Sequence, residues 1–170
     1  MIDFTEKKII LTSVEPDISA NSSEIAAVLI QRLGLMPRKK GSTQDMNKVL
    51  IELYERAKDA SRHKNPTKAI MGVEDMAYFA GITRQTMYDY LKRWLDLDLI
   101  IKTSYIDENH KVIIGYKLNG NTLEQGFEKA RARINNNLDF TLKYIRELQK
   151  TLKNEKISQA QQKKPKLGVA

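Results

Sequence analysis

The 170-residue sequence predicts a mainly α fold with one small β-hairpin, an α+β arrangement that includes a long helix after the hairpin. Three stretches carry that expectation. Val73 to Lys92, VEDMAYFAGITRQTMYDYLK, spaces its apolar residues as two short helices packed across a tight turn do. Ile100 to Tyr116 holds two runs rich in β-branched and aromatic residues around the turn-forming Asp107-Glu108-Asn109-His110. From Ile134 to Leu152, apolar positions alternate in steps of four and three along one helix.

Within the first stretch, Met76, Ala77, Ala80, Gly81, Ile82, Met87 and Tyr90 fall where a helix-turn-helix needs small or apolar side chains. Ala77 lets the first helix lie close under the second. Gly81 can take the positive φ that ends a helix without Cβ strain, and Ile82 then plugs the corner. Thr83 is the expected N-cap of a second helix starting at Arg84. On that helix Met87, Tyr90, Leu91, Trp94 and Leu95 form one apolar stripe, leaving Arg84, Gln85, Tyr88, Asp89 and Lys92 on the other side. A polar outward face is usually only a solvated surface. The helix and tight turn before this one favour a face that reads a partner.

With its flanks, from about Gly41 to Leu118, the pattern resembles the winged helix-turn-helix domain of bacterial and archaeal transcription regulators, similar in layout to the MarR-like and PadR-like families. That resemblance implies double-stranded DNA as partner, with the helix from Arg84 in the major groove. It places Arg84 on guanine O6 and N7 and Gln85 on adenine, with Thr86, Tyr88 and Asp89 beside them. Thr83, Lys92 and Arg93 would fix the register on phosphates. Asp89 either accepts from cytosine or pairs with Lys92 or Arg93. The hairpin would be the wing, contacting DNA through Lys102, Thr103 and Lys111, because Asp107 and Glu108 put acid at its tip.

Residues 1–40 read as an N-terminal extension with one helix. Phe4, Ile9, Ile10 and Leu11 fit a short strand or a helical lead-in equally. Asn21 and Glu24 have capping-box spacing for a helix from Ser22 to about Leu33, stopped by Gly34. Its apolar face is Ile25, Val28, Leu29 and Leu33, widened by Ala26, Ala27 and Ile30 toward either core packing or a dimer contact. The loop from Pro37 to Gly41 carries Arg38, Lys39 and Lys40. Residues 41–118 then form the winged domain. Ser42 with Asp45 is the expected start of an amphipathic helix through Ala60, built on Met46, Val49, Leu50, Leu53, Tyr54 and Ala57. A second basic loop, Arg62 to Lys64, ends at Pro66, and Thr67 to Met71 is expected as a short strand.

Residues 119–155 read as a long helix capped by Thr122 and Gln125. Phe127, Ile134, Thr141 and Leu148 recur every seven residues, and Leu138, Ile145 and Leu152 interleave with them. This seam is expected to pair with the same helix of a second subunit, giving a homodimer; folding back on its own domain is the alternative. A two-fold dimer predicts inverted half-sites about 34 Å apart. Residues 156–170 lack apolar periodicity and are expected to be a disordered basic tail.

The formal net charge is +8, and its location matters. Residues 1–31 carry two bases against five acids, whereas 32–68 carry ten bases against four acids, and 156–170 carry four lysines and no acid. Basic segments on both sides of the helix-turn-helix favour a polyanionic partner. There is no cysteine and there are only two histidines, so neither a disulfide framework nor a thiolate metal site is available, and a zinc site is not expected. No phosphate-binding glycine loop, nucleophile elbow or paired catalytic carboxylates occur, so neither catalysis nor a cofactor is expected. No apolar run approaches the ~20 residues that cross a bilayer. The opening MIDFTEKKIILTSVEP lacks a signal-peptide pattern, which makes a cytoplasmic location the expectation. Nothing in the sequence signals a small-molecule effector.

The function expected is therefore sequence-specific DNA binding by a dimeric transcription regulator. Two alternatives stay open: a replication or plasmid-maintenance factor using the same domain, and a winged domain that serves as a protein–protein module.

Overall fold

Asn21 opens the first helix as its spacing with Glu24 predicts. Its side chain accepts from the Glu24 amide at 2.9 Å, and the Glu24 carboxylate accepts from the Asn21 amide at 3.3 Å. The computed structural model describes residues 9–35 and 45–163. In it this helix, α1 (Ser22–Arg32), is followed by α2 (Met46–His63), a 3₁₀ turn (Pro66–Ala69), α3 (Val73–Ala80) and α4 (Arg84–Asp96). The strands β1 (Ile100–Ile106) and β2 (Val112–Leu118) and the helix α5 (Leu123–Lys163) complete the order. The fold is mainly helical, with one antiparallel two-stranded hairpin and a long last helix. The chain divides into two units, Met1–Arg131 and Ala132–Ala170.

The core of the first unit is one cluster to which every helix before the hairpin contributes. Ile30, Met46, Val49, Leu53, Met76, Ala80, Met87, Leu91 and Trp94 are buried there, closed below by Ile100 and Leu118 of the hairpin and by Ala130 of α5. Ala77 is buried where α3 and α4 meet, as the requirement for a small residue predicts. Gly81 has φ +68°, its amide bonding Tyr78 O at 3.2 Å while the Ile82 amide bonds Ala77 O at 3.0 Å. This bond pair ends α3 and turns the chain within three residues. Asp98 at φ 56° and the Leu99 amide on Trp94 O close α4 similarly, directing the chain into β1.

Several expectations need correction. On α1, Ala26, Ile30 and Leu33 are buried, whereas Ile25 and Leu29 are exposed, so the core stripe is rotated from the expected face. Packing on α2 explains this: Ala26 permits a close approach, and Asn47 Nδ2 donates to Ser23 Oγ at 2.8 Å. The side carrying Ile25, Val28 and Leu29 shares a cavity with Val14 and Pro16. Thr12 N donates to Arg32 O and Arg32 Nη1 donates to Val14 O, holding that segment along α1. Residues 9–17 form neither strand nor helix. Asp45 precedes α2 without a side-chain cap, its carboxylate lying 2.9 Å from Lys48 Nζ instead. Ser42 lies outside the described residues.

Thr67 to Met71 is not a strand. Pro66, with no amide hydrogen to give, starts a 3₁₀ turn capped by the Asn65 side chain, which accepts from the Thr67 amide. Only Met71 pairs, through reciprocal 2.7 Å bonds with Tyr116 on the free edge of β2. The close approach there depends on Gly115, where an added Cβ would meet Ile70 Cγ2 at 2.4 Å and Met71 O at 2.8 Å. Gly115→Ala is accordingly expected to cost about 1–3 kcal/mol, the usual range for overpacking, and a thermal melt would read it.

The expected tail also changes. Helix α5 continues through Lys163, past the boundary anticipated at residue 155. Ser158-Gln159-Ala160-Gln161-Gln162 contains neither Gly nor Pro, and Ala, Gln and Lys are good helix formers that propagate an existing helix without tertiary contacts. Residues 164–170, which hold the rest of that tail, lie outside the described residues.

Candidate nucleic-acid interface

Helix α4 is held at its start and along one side, and that determines what its free side can do. Thr83 Oγ1 accepts from the Thr86 amide at 3.2 Å and lies 2.8 Å from Thr86 Oγ1, capping the helix as predicted. Met87, Leu91 and Trp94 anchor the inner side, with Tyr90 and Leu95 packed partly against the same core. Arg84, Gln85, Tyr88, Asp89 and Lys92 are all exposed. Spacings of three and four residues place these five side chains on one face.

Arg93 is a correction. Instead of standing free for a phosphate, its guanidinium is half-buried and donates to Gly34 O at 2.7 Å. Gly34 lies just past α1, where carbonyls lose their helical partners, and a cation suits that end. Arg93 thereby ties α4 to α1.

Arg84 has partners of its own. Its Nη1 is 3.3 Å from Glu74 Oε1, Nη2 is 3.5 Å from Tyr88 Oη, and Cζ lies 5.8 Å from the Tyr88 ring centre. The hydrogen bond to Tyr88, followed by the charge interactions with Tyr88 and Glu74, holds the guanidinium pKa above its ordinary value. Both members of the Glu74 pair are well exposed, and such pairs contribute little. The guanidinium is thus pre-aimed by neighbours that it can exchange for another acceptor at small cost. Glu74 was missed in the sequence, although an acid in the first turn of a helix ten residues before Arg84 is visible there.

A groove joins this face to the hairpin. It is about 410 Å³ in volume, with Glu74, Arg84, Tyr88, Lys102, Ile114 and Tyr116 on its walls. The register explains the arrangement: Lys102 pairs with Tyr116, Ser104 with Ile114 and Ile106 with Val112, so these residues share one face of the sheet. Burial first, then the neighbouring Tyr88, raises the Tyr116 phenol above its ordinary pKa. Lys102 is exposed beside Arg84 and Tyr88, whereas Thr103 is half-buried on the opposite face. Lys111 is exposed next to the turn. At the tip, Asp107 Oδ1 accepts from the Asn109 and Lys111 amides, both at 2.9 Å. That oxygen builds the turn, and Glu108 remains exposed. Ile106, Val112 and Ile114, 69%, 64% and 55% exposed, give the hairpin an apolar outer face that sequence reading overlooked.

Other predicted residues are not brought to α4. Lys64, the left-handed cap of α2 with φ 52°, lines a different cavity with Lys117 and Lys129. Arg38, Lys39 and Lys40 lie outside the described residues. Of the seam, Phe127 packs against the core of the first unit, a correction to its expected place in a dimer interface. In the second unit Ile134 is half-buried, Leu138, Ile145, Leu148 and Leu152 are exposed, and the Thr141 hydroxyl donates to Asn137 O at 2.8 Å.

No family model matches the chain, and neither a curated protein nor a solved structure does. Among the described residues there is no grouping of three or more His, Asp or Glu suited to a metal, and no helix long and apolar enough to cross a membrane.

Proposed function

We propose that the protein is a winged helix-turn-helix factor that binds double-stranded DNA as a homodimer and regulates transcription. The observation carrying this reading is the outward side of α4: Arg84, Gln85, Tyr88, Asp89 and Lys92 are exposed together on a helix whose opposite side is locked into the core. A helix about 10–12 Å across with side chains fits the major groove, and its N-terminal residues reach base edges first. Arg84 bonds guanine by exchanging Glu74 for O6 and N7. Gln85 bonds adenine, Lys92 and Lys102 neutralise phosphates, and the Thr83 hydroxyl donates to a phosphate oxygen. Symmetric pairing of α5 requires an inverted repeat in the DNA.

The test is a fluorescence titration against random duplex and a selected-sequence pool at several salt concentrations. A steep fall of log affinity with log salt and an enriched inverted repeat are the expected results. Binding without any enriched site sinks the sequence-reading role. Arg84→Ala combined with Gln85→Ala is expected to lose about 1–3 kcal/mol of discrimination per base contact while keeping residual, salt-sensitive affinity. Unchanged sequence preference in that variant would remove α4 from the reading role.

A second reading, a protein–protein module, is favoured by the apolar face of Ile106, Val112 and Ile114. Absence of DNA binding at low salt would make it the leading one.

A further inference from the structure

The cleft holding Lys64 faces away from the α4 groove. Along β2 side chains alternate, so Lys117, paired with Ile101, lies on the sheet face opposite Lys102 and Tyr116. Behind that face is a cavity of about 500 Å³, within the size range of small-molecule sites. Its lysines come from three elements: Lys64 at the end of α2, Lys117 on β2 and Lys129 on the first part of α5. Ala57, Ala60, Ala69 and Leu118 give it an apolar floor, and no carboxylate is among the described residues lining it.

Two of the three lysines are placed by their surroundings. Asn119 Nδ2 donates to Asp98 O at 2.8 Å, fixing the amide so that its Oδ1 accepts from Lys129 Nζ at 3.0 Å. Lys64 is held in the left-handed conformation by its own amide, which bonds Ala60 O and Ser61 O, a position usually taken by glycine. Three lysines line one cavity with no acid among its described lining residues, so an anion entering it meets positive charge from three sides.

We propose that this cleft binds a phosphate group. Ammonium groups act as point charges with several donors each, and three approaching from different elements suit the tetrahedral oxygens of phosphate better than the two coplanar oxygens of a carboxylate. The apolar floor accommodates the organic part of a phosphate ester. A free ester and a nucleic-acid backbone offer the same group, and the measurement separates them. The site does not depend on the function proposed for α4.

The full chain is titrated calorimetrically with inorganic phosphate, phenyl phosphate and, as carboxylate control, benzoate, and separately with duplex DNA at several salt concentrations. The variants are Lys117→Gln with Lys129→Gln, Lys129→Gln alone in case the pair fails to fold by circular dichroism, and, outside the cleft, Lys150→Gln at an exposed position of α5. For a free ester, phenyl phosphate binds once per chain, more tightly than benzoate. Its affinity then falls about tenfold per lysine removed and is unchanged in the Lys150 variant. For a backbone phosphate, the esters give no heat, and the cleft variants reduce the slope of log DNA affinity against log salt by about 0.9 for each phosphate no longer neutralised. Benzoate binding as tightly as phenyl phosphate overturns the proposal. So does a set of cleft variants that changes neither titration, and so does absence of binding in both. If DNA does not bind at all, the ester titration alone decides the site.

Discussion

Replacing Leu138 and Leu148 with asparagine is expected to leave a monomer that binds DNA about 10²–10⁴-fold more weakly, although neither residue belongs to the proposed DNA-reading face of α4. Both leucines are well exposed, at 62% and 59%, with Ile145 and Leu152 exposed in the same alternating series. A row of large apolar side chains in water at coiled-coil spacing is most readily relieved by pairing with an identical row. Each asparagine would carry its amide into that interface on both helices, where a polar group lacking a partner is costly. The affinity loss follows from linkage: in a dimer the second recognition helix binds as an intramolecular event, and a monomer forfeits that advantage. Sedimentation velocity and a DNA titration on the same sample check both halves. A variant that remains dimeric shows that the seam is wrongly assigned, and one that becomes monomeric with unchanged affinity separates pairing from DNA binding. Thr141 is the weak point of the seam, since its hydroxyl is turned to Asn137 O and it adds little apolar surface.

The elements were legible where local chemistry and tertiary packing agree. Asn21 with Glu24, Thr83 before Arg84 and the turn from Asp107 are short-range devices that work in any context, and each occurs where the sequence places it. The stripe on α4 was legible because Met87, Leu91 and Trp94 leave one side of a thirteen-residue helix no other use. What failed depended on distant partners. Arg93 resembles Lys92 in the sequence, and only the arrival of Gly34, 59 positions earlier, separates a half-buried anchor from an exposed cation. The buried side of α1 was misjudged because Ala26 is a weak hydrophobe by type but the best choice where α2 must come close. Lys64 and Lys117 carry no local sign that one cleft will gather them with Lys129. The apolar hairpin face was present in the alternation of Ile106, Val112 and Ile114. It became meaningful only once the register put all three on one side.

Trp94→Ala is expected to destabilise the protein by about 3–5 kcal/mol, lowering Tm by roughly 10 °C or more. Trp94 is fully buried within the cluster that joins α4 to the rest of the first unit, so truncation leaves a large cavity in a close-packed region. Its Nε1 is buried and has no hydrogen-bond partner among the described residues. The side chain therefore stabilises through packing, and Trp94→Phe, which removes the donor but keeps a ring, is expected to cost clearly less than the alanine change. Because this is the sole tryptophan, unfolding of both variants is followed by circular dichroism, while the intrinsic emission of the parent reports the same transition. Equal losses for alanine and phenylalanine would mean that the indole nitrogen matters and that packing is not its main role. The comparison with Arg84→Ala is the more informative one. Arg84 is exposed on α4, as its proposed reading role requires, and Trp94 is an anchor beneath it, so the first change is expected to alter sequence preference at unchanged Tm. The second is expected to lower DNA binding only as far as it depletes the folded chain. If Trp94→Ala instead changed sequence preference in fully folded protein, the anchor would be setting the orientation of α4 as well as its stability.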